Sequence, residues 1–274
     1  MTALPTPLRI SAVVLLLALA GFPFYWMFVT SLTPSSDLFA STPNFLPKWG
    51  EAGVYREAFE KIPVATWLLN SLIVAGGTTF LSLAIALFPA YALSRFKFTG
   101  KGVIGLSLFA TQMLPEAMLV VPLYALFGQL KILNTLTALI LANTAFTVPV
   151  VVWILKGAID GVPEEIEEAA RIDGCSQAGL VWCIVLPLIA PTLAAAAVIA
   201  FFHGWNEYVF AQTLVSSESL RTASVGLAGF VGELSTPIHT VMSIAMIYTV
   251  PAIIFYLFVQ KYVVSGMTAG GVKG

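Results

Sequence analysis

Long apolar stretches are the feature of this sequence that most restricts its fold. Six of them approach or exceed the roughly 20 residues that a helix needs to cross the hydrocarbon core of a bilayer. Hydrocarbon offers no hydrogen-bond partners, and a helix satisfies its backbone groups within one segment. With 58% hydrophobic and 10% charged residues among 274, the chain is predicted to be an all-α, polytopic membrane protein of one domain. The predicted spans are residues 8–30, 64–93, 103–127, 135–155, 188–214 and 240–262.

Positive charges assign the two sides of the membrane, because Lys and Arg collect in cytoplasmic loops. The segment SRFKFTGK, between the second and third spans, carries Arg95, Lys97 and Lys101. The short connection between the third and fourth spans has only Lys131. Both termini are therefore predicted to be cytoplasmic. The connection 215–239, which is too long for a tight turn, is then expected on the outer side.

The sequence lacks the common motifs of a self-contained enzyme. It has no G-x-x-x-x-G-K-[ST] loop for nucleotide phosphates and no H-E-x-x-H zinc site. Cys175 and Cys183 are eight positions apart, a spacing that fits neither a metal site nor a redox motif. A net charge of −1 gives no basis for nucleic-acid binding. We therefore expect no catalytic residue, no metal site and no cofactor bound by this chain.

An acidic segment, PEEIEEAARIDGCSQ, interrupts the apolar sequence within the connection 156–187. Pro163 suits the start of a helix, because its missing N–H would be unpaired there anyway. The glutamates that follow favour the positive end of the helix dipole. Gly174 is predicted to end the helix in a left-handed conformation, and Ser176 to cap the next helix. The segment is thus predicted to form a helix–turn–helix knuckle between the fourth and fifth spans.

The order of residues in the knuckle is specific. EAARIDG, nine further residues and IVLP fit the pattern E-A-A-x-x-x-G-x9-I-x-L-P over residues 168–187, which resembles the signature loop of ABC importer permeases. The segments NTLTALILANTAFTVPVVVWILKG, GWNEYVFA and QKYVVSGMTAGGVKG resemble the carbohydrate branch, and most of all the shorter, six-span subunit of maltose-type systems. The resemblance implies a permease subunit of an ATP-driven sugar importer that works by alternating access in a bacterial or archaeal cytoplasmic membrane.

The same resemblance implies partners and roles. The partners would be a second, homologous permease, a cytoplasmic ABC ATPase dimer that binds ATP and Mg, and an extracytoplasmic sugar-binding protein. The knuckle would be the coupling helix that docks in a cleft of the ATPase, where Glu167 and Glu168 are expected to meet basic groups. The expected coupling residues are Glu167, Glu168, Ala169, Ala170, Asp173 and Gly174. The C-terminal tail, which is not expected to form a helix alone, would reach between the ATPase subunits through Gly266, Gly270, Gly271 and Lys273.

Polar side chains within the predicted spans are costly, so they usually face a cavity or another helix. At a rise of about 1.5 Å per residue, Glu116, Asn143 and Asn206 fall at a similar level in the outer half of the membrane. His203 and Glu207 are four residues apart and are expected to share a helix face. A polar chamber for sugar hydroxyls and hydrogen bonding between helices both remain open. The candidate pathway residues are Gln112, Glu116, Asn143, Thr147, His203, Asn206 and Glu207.

Two rival classes compete with an importer permease. One is a self-sufficient secondary transporter or channel for a small polar solute, and the other is a membrane anchor or receptor. The signature loop and the lack of visible inverted halves argue against the first, and six spans with buried polar groups would be excessive for the second. The solute does not follow from the sequence, although the scarcity of Lys and Arg within the spans disfavours an anion.

Overall fold

Helices make up every regular element in the computed structural model over the residues it describes, which are 6–38, 40, 42, 44–232 and 237–270. At 231–232 and 263–270 the description is of the backbone alone. The all-α prediction is confirmed for these residues. The helices longer than one turn are α1 (Thr6–Ser31), α2 (Gly53–Lys61), α3 (Val64–Arg95), α4 (Lys101–Thr111), α5 (Glu116–Gln129), α6 (Leu136–Asp160), α7 (Glu164–Ile172), α8 (Gln177–Leu188), α9 (Ala190–Asn206), α10 (Val209–Leu214), α11 (Ala223–Gly232) and α12 (Ile238–Gly270).

Four of these helices are long and apolar enough to cross a membrane. They are α1, α3, α6 and the part of α12 that ends at Tyr262, and they lie over the first, second, fourth and sixth predicted spans. The pairs α4–α5 and α8–α9 pass the same test only when each pair is joined, and each is sharply bent. By length and composition, the described residues therefore include four helices that can cross a membrane, or up to six if each bent pair counts as one.

The third predicted span, 103–127, is not one continuous helix. Helix α4 ends at Thr111, α5 begins at Glu116, and the two are bent by 98°. Pro115 occupies the N-cap of α5; proline has no N–H and disfavours helical backbone at the residue before it. The prediction of a single helix is wrong here, and the break places Glu116 in the first turn of α5.

The fifth predicted span, 188–214, is also divided. Helix α9 ends at Asn206, Glu207 has extended backbone with φ −63° and ψ 131°, and α10 follows. On the other side α8, which contains a π-helical turn over Leu180–Val185, meets α9 at 82°. Apolar composition continues across both breaks, so hydropathy alone does not reveal them.

The segments before and after the sixth predicted span contain more helix than the sequence predicts. Helix α11 lies within the connection 215–239. Helix α12 continues past the predicted end at residue 262, so the backbone at Gly266 and Gly270 is helical, whereas Gly271 and Lys273 lie outside the described residues. The tail is thus helical as far as Gly270 as a continuation of α12, so the expectation that it forms no helix alone stays a prediction. A helix that is already formed extends without a new nucleation cost, which the isolated tail would have to meet.

The chain divides into two units, residues 1–65 with 226–250 and residues 66–225 with 251–274. In the first, Ser31 at the end of α1 is hydrogen-bonded to the Tyr55 hydroxyl at 2.6 Å. Most of α1 before that point is exposed. An apolar helix with so little internal burial offers its surface to lipid or to another protein.

The second unit is built around α6. Near one end of α6, Leu155 lies in one buried cluster with Leu87 of α3 and Val185 of α8. The other end packs Leu139 against α5 and α10, and Leu139 and Leu155 are both fully buried. Because lipid is as apolar as these side chains, packing contacts rather than water exclusion hold such helices together. Close approach of the helices is therefore important for stability.

Helices α3 and α9 make such an approach at Gly204. A Cβ built there would lie 3.0 Å from the Cα of Ala75 and 3.3 Å from Oγ1 of Thr78. Helix α3 presents backbone at the nearer contact, so a flexible side chain cannot move aside to relieve the clash.

We expect Gly204→Leu to destabilise the second unit, by about 1–3 kcal/mol for an overpacked site. The measurement is thermal unfolding of the detergent-purified chain, with Gly76→Leu as the control. Gly76 lies in α3 with open space around its Cβ direction. Equal melting temperatures for the two variants would show that the α3–α9 contact is not tight.

Candidate functional site

The acidic helix, α7, begins and ends as the local sequence predicts. Pro163 precedes its first residue, and Gly174 follows it with φ +88°. The Ser176 hydroxyl oxygen then accepts a hydrogen bond from the Gly179 N–H at 3.1 Å. Left-handed backbone at Gly174 and capping by Ser176 are both confirmed. Together they set the direction in which the chain leaves α7 and enters α8.

The outer face of α7 consists of Glu165, Glu168, Ala169 and Ile172. These positions follow the i, i+3, i+4, i+7 spacing that puts residues on one side of a helix, and all are exposed. Ile172 is 87% exposed. The outer face therefore offers two carboxylates, a small residue that permits close approach, and an apolar side chain with most of its surface left to bury.

The opposite face of α7 is bonded to the protein through Glu167, which is 1% exposed. Its Oε1 accepts a hydrogen bond from Nε of Arg95 at 2.7 Å, and its Oε2 accepts one from the Tyr91 hydroxyl at 2.7 Å. A second guanidinium, that of Arg171, lies 3.8 Å from Oε2. This corrects the prediction that Glu167 meets basic groups on the ATPase, because its carboxylate is already buried and paired within the chain.

Arg95 is the last residue of α3, and its side chain is 7% exposed. Its Nη2 donates to the carbonyl of Val162, in the linker before α7, at 2.7 Å. The neighbouring Ser94 hydroxyl donates to Oδ1 of Asp160 at 2.6 Å. The last turn of α3 thus contacts the end of α6, the linker and α7. We call Tyr91, Arg95 and Glu167 the anchor.

Sequence reasoning missed two of the three anchor residues. Arg95 entered it only as a positive charge, and Tyr91 not at all. Glu167 and Arg95 are 72 residues apart, and no local pattern connects them. The other predicted coupling residues are accessible to different degrees. Glu168, Ala169, Asp173 and Gly174 are exposed, and Ala170 is half-buried.

Among the candidate pathway residues, the structure brings Glu116 and His203 together. Glu116 Oε1, in the first turn of α5 beside the bend, lies 3.9 Å from Nε2 of His203 in α9. Both side chains are partly exposed. Gln112, just before that bend, donates to the carbonyl of Phe146 at 3.1 Å. The bend therefore collects three polar side chains from the third and fifth predicted spans.

Other candidate pathway residues have local partners. Asn143 donates to the Leu139 carbonyl at 2.8 Å, and Thr147 donates to the Asn143 carbonyl at 2.7 Å, all within α6. Asn143 and Thr147 are buried, while Asn206 is exposed at the end of α9. Because these bonds run within one helix, they are not the bonds between helices that the sequence also allowed, and the pathway role of Asn143 and Thr147 stays a prediction.

Glu207 caps α10. Its carboxylate accepts hydrogen bonds from the backbone N–H groups of Phe210 at 2.5 Å and Ala211 at 2.9 Å. The expectation that Glu207 and His203 share a helix face is wrong, because α9 ends at Asn206, between them. The carboxylate serves the backbone groups that the break leaves without helical partners.

Comparison with known proteins gives consistent matches. Residues 82–269 match the family described as binding-protein-dependent transport system inner membrane component. The chain is 35% identical to the sulfoquinovosyl glycerol transport system permease protein SmoH of Agrobacterium fabrum, over 98% of this chain and 94% of that protein. It is also 35% identical to the trehalose/maltose transport system permease protein MalG of Thermococcus litoralis, over 97% of this chain and 96% of that protein.

A solved structure shares the fold. It is a chain of a bacterial ABC transporter involved in the import of the acidic polysaccharide alginate, with a TM-score of 0.79 and 21% identity. The match covers 96% of this chain and 99% of that one. The fold of this chain is therefore similar to that of the solved chain over nearly the whole length of both.

The turn after α7 gives a direct test. Valine at position 174 would have to adopt left-handed backbone, at a cost of about 1–2 kcal/mol, whereas asparagine tolerates it better. We expect Gly174→Val to speed hydrogen exchange of amides in 163–179 and Gly174→Asn to leave it near the wild-type rate. Equal exchange in both variants would contradict a conformational requirement at this glycine.

Proposed function

Because the chain belongs to the family of binding-protein-dependent transport system inner membrane components and is a permease subunit of a sugar ABC importer, we propose that it forms one half of a translocation path. The other half is a second, homologous permease, and the sugar moves by alternating access. The chain is a multi-pass protein of the cytoplasmic membrane. Family membership also removes the rival class of self-sufficient transporters and channels.

In this proposal the chain itself catalyses no reaction. A cytoplasmic ABC ATPase dimer binds ATP and Mg, and an extracytoplasmic binding protein delivers the sugar. Both termini and α7 lie on the cytoplasmic side, as the distribution of Lys and Arg favours. The tail is proposed to contact the ATPase subunits through Gly266, Gly270, Gly271 and Lys273, and the helical backbone as far as Gly270 is compatible with such an extension.

The observation that carries the proposal is the division of α7 into two faces. One face is bonded to α3 through the anchor, and the outer face is exposed and includes the matched signature residues Glu168 and Ala169. Burying Ile172 against a partner is favourable by about 25 cal/mol per Å² of apolar surface. Carboxylates at Glu165 and Glu168 suit basic groups at the rim of an ATPase cleft. The outer face thus has the composition expected of a docking surface.

The solute is proposed as an uncharged disaccharide, oligosaccharide or sugar derivative. Two relatives with the same identity, 35%, are named for sulfoquinovosyl glycerol and for trehalose and maltose, so similarity does not choose among sugars. Glu116 lies at the bend within reach of His203. A carboxylate there accepts sugar hydroxyl hydrogens and repels an anionic solute. We therefore place Glu116 on the translocation path, and trehalose and maltose serve as the test sugars.

Docking is tested at Ile172. We expect Ile172→Asp to reduce retention of the ATPase on the purified permease complex by roughly tenfold, equivalent to about 1.4 kcal/mol, because a charge replaces the apolar side chain on the outer face. Leu46→Asp is the control, since Leu46 is also an exposed apolar residue but lies between α1 and α2. Normal ATPase retention in Ile172→Asp would contradict docking through the outer face.

The pathway role of Glu116 is tested by two substitutions of similar size. Glu116→Gln keeps hydrogen-bonding capacity and should alter uptake or preference between the test sugars. Glu116→Leu removes that capacity and should impair uptake more, with assembly intact in both. The control is Glu51→Gln, at an exposed position before α2. If both Glu116 variants take up the sugars with the wild-type rate and affinity, the contact between Glu116 and His203 serves only helix packing.

A further inference from the structure

We propose that the anchor is the positioning device of coupling: it makes α7 move as one body with α3 and α6, so that displacement of the docked helix reaches the spans. This inference rests on the proposed docking of α7 to an ATPase. It gives a role to Tyr91 and Arg95, which lie outside the matched signature loop, and it changes the role of Glu167.

The burial of the α7 side chains shows how much its attachment to the rest of the chain depends on Glu167. All nine residues of α7 are described, and Glu167 alone among them is buried. Ala170 is half-buried, and the remaining side chains are exposed. Apolar packing therefore holds α7 only weakly, and the bonds of one carboxylate have to fix its position.

The donors to that carboxylate come from a single helix end. Tyr91 and Arg95 are one turn apart on α3 and reach the two different oxygens of Glu167 at 2.7 Å each. The planar guanidinium also bonds the Val162 carbonyl at 2.7 Å, so one rigid group fixes both the linker and the helix. Asp160 at the end of α6 is tied to the same turn through Ser94.

A charged contact restricts motion more than an apolar one does. Apolar surfaces remain attractive when they slide past each other, whereas a displacement of about 1 Å would take the 2.7 Å contacts beyond hydrogen-bond range. It would also leave a buried carboxylate and a buried guanidinium without partners, which is strongly unfavourable. Helix α7 therefore has one favourable position against α3. A force on its outer face then moves α3 together with α7, and α7 does not slide along α3.

The experiment compares a single and a double substitution in the complete importer, reconstituted in liposomes with its binding protein and the test sugars. Glu167→Leu leaves the Arg95 charge buried without its partner. The combination of Arg95→Met with Glu167→Leu removes both charges and replaces them by apolar groups, an exchange that buried ion pairs often tolerate. Glu164→Gln is the matched control, on an exposed residue of the same helix.

For Glu167→Leu we expect the ATP hydrolysed per sugar transported to rise by about tenfold, the size of a typical coupling between sites. The ATPase should stay bound, because the outer face is unchanged. The double variant should regain the thermal stability that the single one loses, because no charge is left buried without a partner. Its ratio should stay raised, because an apolar pair lets α7 slide against α3, and Glu164→Gln should match wild type. A second readout needs no sugar: hydrogen exchange of the α7 amides in the assembled complex should rise in both Glu167 variants and stay at the wild-type rate in Glu164→Gln.

Three results would overturn the inference. The first is a wild-type ratio and wild-type exchange in Glu167→Leu. The second is a wild-type ratio in the double variant, which would mean that apolar packing positions α7 as well as the charged contact does. If Glu167→Leu does not accumulate, Glu167→Gln and Tyr91→Phe replace it, because both keep the shape of the side chain. Wild-type ratios of ATP to sugar in both of these variants are the third result.

These outcomes are separate from failure of the proposed docking. Loss of the ATPase in Ile172→Asp together with normal coupling in Glu167→Leu rejects the anchor alone. Retention of the ATPase in Ile172→Asp rejects docking through the outer face, whatever the Glu167 variants show.

Discussion

Backbone N–H and C=O groups in hydrocarbon need partners within the protein, and both the regular and the irregular parts of this chain follow from that requirement. Uninterrupted helices such as α3 and α6 satisfy it along their length. Where a helix begins or breaks, nearby side chains provide the missing bonds: Thr135 accepts from the Ala138 N–H at 3.2 Å at the start of α6, and Glu207 accepts two N–H groups at the start of α10. Some polar residues in the apolar segments therefore serve the backbone groups at helix breaks, and this role does not depend on a solute.

The same requirement explains which parts of the fold the sequence predicts. Composition determines whether a segment can be a long buried or lipid-facing helix, so α1, α3, α6 and α12 are recognisable. Composition does not change across the helix breaks beside Pro115 and Glu207, so each broken segment appears in the sequence as a single span. Gly174 and Ser176 are recognisable because their conformations depend on a few neighbouring residues. The pairing of Glu167 with Arg95 is a tertiary contact across 72 residues, and a single sequence contains no local trace of it.

Two groups of charged residues in this chain lie in different settings. The ends of α3 and α6 carry Ser94, Arg95 and Asp160, close to water, in a network that also includes Lys156 at 2.6 Å from Asp160. Burying two paired charges there costs less free energy than it would in the middle of the membrane. The buried Arg95–Glu167 pair can therefore hold α7 against α3. Glu116, in contrast, lies at a bend inside an apolar segment, with His203 as the nearest basic group at 3.9 Å. A carboxylate in that setting keeps more of its hydrogen-bonding capacity for another molecule.

The acidic run of α7 appears in the sequence as one cluster, yet helix geometry divides it. Successive residues point about 100° apart around a helix with 3.6 residues per turn, so the adjacent Glu167 and Glu168 cannot serve the same surface. Glu167 faces α3 and fixes the helix to its own subunit, while Glu168 belongs to the outer face that a partner can reach. Sequence changes on the outer face can then adapt to a partner without loosening the attachment. Changes at Glu167, in contrast, require a matching change at Arg95, because either group alone would be buried without its counter-charge.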